Sequence, residues 1–218
     1  MNRSKAILLA VLMAFALSVA AFADSVLYTQ PFDQLGNGYS SQNDTNGLGV
    51  FAQVYDNFTL GSDSSINEVQ FTGLYFNPPQ QGPISAWNVQ FFADNAGQPG
   101  MLLATKNING TGNETFLANY GDYPVYTYDL PGLGFAAAGN TTYWLSVYPD
   151  LGFPPQWGWT SGTGGDGISY QDFGGVRGPL SVDMAFTLIG TSVPEPGTLV
   201  MLCTGMLGLA GAIRRRLS

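Results

Sequence analysis

The chain has 218 residues, a formal net charge of −8, no histidine and a single cysteine, Cys203. The lack of histidine excludes the commonest general base, every Ser-His or Cys-His nucleophile pair and the usual ligand of transition metals. One cysteine excludes an intrachain disulfide, so burial must hold the fold.

At the N terminus Arg3 and Lys5 precede an apolar run over residues 6–20, followed by Ala21-Phe22-Ala23. A basic start, an apolar stretch and an A-x-A site read as a secretory signal peptide over residues 1–23. Ala21 and Ala23 mark the cleavage, and Asp24 becomes the first mature residue. Sec-type export machinery and signal peptidase are the implied partners; the alternative is an uncleaved anchor.

Residues 24–192 are the expected extracytoplasmic domain, one unit with chain enough for a substantial core. They carry fourteen carboxylates against Lys106 and Arg177, a net charge of −12. Two cations cannot neutralise a phosphate backbone, so nucleic acid is excluded as a partner.

This body is rich in Gly, Asn, Thr and aromatic residues, with no amphipathic helical period. Short alternating runs between turn residues predict an all-β fold. The expected form is an antiparallel two-sheet sandwich, jelly-roll-like, of about nine or ten strands. Residues 25–32 read as an edge strand stopped by Pro31, and 36–48 as a long polar loop. In 50–60, Val54, Phe58 and Leu60 share one face. In 66–76, Val69, Phe71 and Tyr75 oppose Glu68, Gln70 and Thr72. In 86–93, Trp87, Val89, Phe91 and Ala93 point inward. Further strands are expected at 102–108, 125–130, 142–148, 157–160, 168–173 and 182–190, with 131–140 and 174–180 as connections.

Chemistry is sparse. No G-x-S-x-G and no phosphate loop occurs, and no catalytic residue or cofactor is assigned. Glycoside hydrolysis needs only two carboxylates about 5–10 Å apart, so the inventory alone leaves a secreted hydrolase open. Asp56 falls on the apolar face of its strand and needs partners there. It is a weak calcium candidate, a cap for backbone N–H groups, or a bulge residue turned outward. Trp157 and Trp159 lie on one face of an extended segment, which suits either a core or an exposed sugar-stacking platform.

The C terminus completes the reading. Pro194-Glu195-Pro196 is stiff and cannot join a sheet interior. Residues 197–213 are free of charge, near the length of about 17–25 residues that spans a bilayer as a helix. Arg214, Arg215 and Arg216 then place that end in the cytoplasm.

These three features in this order, over 193–218, resemble the PEP-CTERM sorting signal of exported bacterial proteins. The resemblance implies recognition by exosortase, with cutting near the motif, and transient anchorage in the inner membrane. It also implies a cell-surface or extracellular-matrix role beside exopolysaccharide. Tyr55-Asp56-Asn57-Phe58, Gly97-Gln98-Pro99-Gly100 and Gly139-Asn140-Thr141-Thr142 are similar to β-sandwich bodies that precede such tails. The leading expectation is a non-enzymatic envelope or matrix protein. The alternative is a carbohydrate- or calcium-dependent binding module.

Overall fold

The computed structural model describes residues 23–193, 204–206 and 214–215. Ala21, Pro194, Glu195, Pro196, Arg216, the signal helix and most of the expected membrane helix lie outside the described residues. Residues 204–206 and 214–215 are helical. Among the described residues no helix is long and apolar enough to cross a membrane.

In chain order the strands are β1 (Ser25–Gln30), β2 (Gly38–Ser40), β3 (Gln42–Asp44), β4 (Gly49–Thr59), β5 (Ser64–Phe76), β6 (Ala86–Asp94), β7 (Pro99–Asn109), β8 (Thr115–Tyr120), β9 (Tyr123–Ala137), β10 (Thr142–Asp150), β11 (Gln156–Gly162), β12 (Ser169–Phe173), β13 (Val176–Leu180), β14 (Asp183–Met184) and β15 (Phe186–Ser192). They form two sheets, consistent with a sandwich. An eight-stranded sheet runs β1-β15-β5-β11-β14, with β9 on the other edge of β5, β8 beyond β9, and β2 against β11. A seven-stranded sheet runs β13-β12-β4-β3-β10-β6-β7.

The alternation in the sequence sets which faces meet. Val69, Phe71 and Tyr75 of β5 are buried, as are Val54 and Phe58 of β4, and Trp87, Val89 and Phe91 of β6. Side chains of both sheets interlock: Phe71 meets Trp87 edge-on at 5.0 Å, and Trp87 meets Trp157 at 5.0 Å. Aromatic edges against faces suit the ring quadrupoles. Ile66 is buried too, out of phase with Val69, because a bulge shifts the pairing of β5 with β9 between Ile66 and Glu68. The pairing of β5 with β15 is irregular at Ile189/Gly190. A Cβ on Gly190 would sit 1.9 Å from the Ser65 carbonyl oxygen, so only glycine allows this approach.

Several expectations are corrected. The expected loop at 36–48 holds β2 and β3, and the expected turn at 174–180 holds β13. The expected connection after 130 is the second half of β9, where Leu133, Phe135 and Ala137 are buried. The sheets are antiparallel except where β10 meets β3 in parallel at Asp150 and Asn43. The outer face of the seven-stranded sheet is also partly covered. Trp144, Tyr55 and Phe92 are buried there with Tyr170 packed against them. The Trp144 indole donates to Asp94 at 2.9 Å, and the Arg177 guanidinium lies 4.7 Å over the Tyr55 ring.

Candidate functional site

The outward residues of β5 lead to a cleft. At Thr72 the neighbour of β5 changes. Phe71 pairs with Phe186 of β15, whereas Gly73 pairs with Trp159 of β11. The two partner strands part there and leave a cleft of about 460 Å³. Two polar rows line it across the sheet. Thr187, Gln70 and Asp129 are successive partners on β15, β5 and β9. Thr72, Thr127 and Thr115 are successive partners on β5, β9 and β8.

These hydroxyls are held in place. Thr127 Oγ1 donates to the Thr115 carbonyl at 3.3 Å, and the Thr187 and Thr29 hydroxyls bond at 2.8 Å. The Thr72 hydroxyl bonds that of Thr160. Each still has bonding capacity left, since a hydroxyl offers one donor and two lone pairs.

Asp129 stands out. Its Oδ1 is buried and without a partner, one of two such side-chain atoms among the described residues; the other is Trp87 Nε1. Its neighbour Glu68 has a carboxyl raised above the usual value. Partial burial is the main cause, opposed by the Gln70 amide at 2.7 Å and reinforced by the nearby charge of Asp129.

One wall of the cleft, at Asn113 and Thr115, is braced through Glu114. Its carboxylate accepts from the Tyr75 hydroxyl at 2.6 Å, the Tyr128 hydroxyl at 2.8 Å and the Gln81 amide. Burial first, then Glu114, raises Tyr75 far above its usual value, and burial does the same for Tyr128. Both phenols stay protonated donors. The Asp129 N–H also bonds the Gly112 carbonyl at 2.8 Å. Gly112 has φ +69°, and a Cβ there would strike Leu130 and Trp87.

Trp157 and Trp159 do lie on one face, but it is the inner one. Both are 0% exposed. Their N–H groups are spent on the Tyr128 hydroxyl at 3.1 Å and the Ala185 carbonyl at 2.9 Å. Of the two arrangements the sequence left open, the core one is realised, with β11 paired between β5 and β2.

Asp56 is 0% exposed and acts as a tie between the sheets. It accepts from the backbone N–H of Asn57 at 2.7 Å and of Met184. With its amide oriented to donate, Gln30 adds a bond at 2.8 Å and reaches the Met184 carbonyl at 2.6 Å. Burial pushes the Asp56 carboxyl well up, the two backbone bonds pull it down, and the charges of Asp183 and Asp166 push further. Among its expected roles the capping one is realised. Its oxygens face N–H donors, the opposite of what a calcium ligand needs.

The alternating pattern of β5 announced Glu68, Gln70 and Thr72 as outward residues. Asp129, Thr127, Thr187 and Glu114 carried no signal, since only the strand pairing brings them together.

No curated protein matches the chain. Among solved structures it is similar to the cysteine protease and lectin-like domains of Cwp84, a surface layer associated protein of Clostridium difficile, at 9% identity and a TM-score of 0.42. That match covers 66% of this chain and 33% of the other. It is also similar to SACOL2612, a CocE/NonD family hydrolase from Staphylococcus aureus, at 10% identity and a TM-score of 0.27, over 82% of this chain and 36% of the other. The chain thus spans about a third of each, and both likenesses are too slight to carry an assignment. A family model described as the PEP-CTERM protein-sorting motif matches residues 192–216. The chain is therefore a protein bearing a PEP-CTERM sorting motif at its C terminus, consistent with sorting by an exosortase.

Proposed function

We infer that the chain is a non-enzymatic component of the cell envelope or extracellular matrix. Signal peptidase releases it at Asp24, the inner membrane holds it briefly by residues 197–213, and exosortase cuts near Pro194-Glu195-Pro196. The observation that carries this is the sorting motif at residues 192–216, placed directly after the last strand, which ends at Ser192. The Val193 N–H still bonds the Asp63 carbonyl at 2.7 Å, so the motif emerges from the sheet with almost no linker. A cut there would leave the sandwich whole.

Fractionation of a host with and without its exosortase tests the proposal. The account expects the protein at the surface or in the medium of the first, and in the inner membrane of the second. The same distribution in both hosts would contradict it.

A further inference from the structure

Nothing in export or sorting uses the cleft beside Thr72. Its lining has one consistent chemistry. Thr72, Thr127 and Thr187 present hydroxyls, Gln70 an amide and Asp129 a carboxylate. Hydroxyls and amides both donate and accept. The two cations of the body lie in the other sheet. Arg177 is engaged by Asp172 at 2.8 Å, and Lys106 pairs in register with Val89. An anionic ligand would meet Asp129 with no counter-charge in the lining, inside a body of strongly negative charge.

Asp129 adds to this as a half-buried carboxylate in the lining of the cleft. A carboxylate accepts hydrogen bonds only, and its paired oxygens suit two adjacent hydroxyls of a ligand. Phe32 is half-buried on the rim, fixed edge-on by Tyr120 at 5.1 Å, and offers an aromatic surface to the C–H face of a sugar ring. The volume of about 460 Å³ lies in the range of small-ligand sites. The bonds of Glu114 to Tyr75, Tyr128 and Gln81 preset one wall, which lowers the ordering cost of binding.

We propose that this cleft binds a neutral saccharide. Asp129 accepts ligand hydroxyls, Gln70 and the threonine rows bond along the ring, and Phe32 covers one of its faces. The site is separate from the sorting motif, and binding needs no processing of the tail.

The test applies the whole protein, in a sugar-free detergent, to an array of neutral glycans, with hexuronate oligomers and spermidine as charged arms. Retention of at least one neutral glycan is expected. Asp129→Asn and Gln70→Ala should each weaken it about tenfold, or about 1.4 kcal/mol, with little change in Tm. Gln70 is exposed, so its truncation leaves the core intact. Retention of no neutral glycan would overturn the proposal. So would binding indifferent to both substitutions, or spermidine or a hexuronate held more tightly than every neutral glycan. Any of these results leaves the sorting account standing.

Discussion

Asp44 and Asp56 are both buried carboxylates, and they answer pH with opposite signs. Asp44 closes the turn after β3 by accepting from the backbone N–H groups of Phe153 at 2.7 Å, Leu48 at 2.9 Å and Asn46 at 2.9 Å. The Phe153 N–H, foremost among these, holds its carboxyl below the usual 3.8. A lowered carboxyl stabilises the fold above the unfolded value, and that share is lost as pH falls through the folded one. Asp44→Ala should cost about 1–3 kcal/mol at neutral pH by leaving N–H groups unpaired. Denaturant unfolding should show the deficit shrinking in acid. For Asp56, raised from 3.8 by burial, the sign reverses. The unfolded carboxyl ionises first as pH rises, so wild type loses stability from this group between 3.8 and its higher folded value. Asp56→Asn removes the titration. Its Tm should fall less than that of wild type from about pH 4 to pH 7; parallel profiles would contradict this assignment.

At the scale of elements, β11 is the strand on which both the core and the cleft depend. Its Trp157 packs edge-on to Phe71 at 6.1 Å and to Tyr128 at 5.8 Å. Trp157→Ala should destabilise the fold by about 3–5 kcal/mol, measured by chemical unfolding. A change near zero would mean that the indole is not in the core. Period-two alternation in the sequence correctly separated Val69, Phe71 and Tyr75 from Glu68, Gln70 and Thr72. It also put Trp157 and Trp159 on a common face, but a period cannot say which face meets water. Strands β2 and β13 were illegible because they are short and rich in Gly and Pro. Their partners stabilise them: β2 lies against Gly158 and Trp159, and β13 is tied by the Arg177–Asp172 ion pair. The second half of β9 was hidden by Pro131, Gly132 and Gly134. It pairs with β5 alone at its far end, Phe135 to Ile66, where irregular backbone is tolerated. The cleft was hidden for a related reason. Its residues come from β15, β5, β9 and β8, which only long-range pairing makes neighbours.

For the molecule as a whole, two ends and a body divide the work. The alternation and turn chemistry of residues 24–192 announced two sheets of strands, because composition and periodicity act locally. The C-terminal motif was legible for a different reason. It is read as a linear address, so proline stiffness, apolar length and terminal charge carry it without a fold. The central claim is that this address is used and then removed. Intact-mass analysis of the exported protein tests it most directly. The account predicts a mature species that begins at Asp24 and ends close to Pro196. A mature species whose mass still includes Arg214, Arg215 and Arg216 would contradict it.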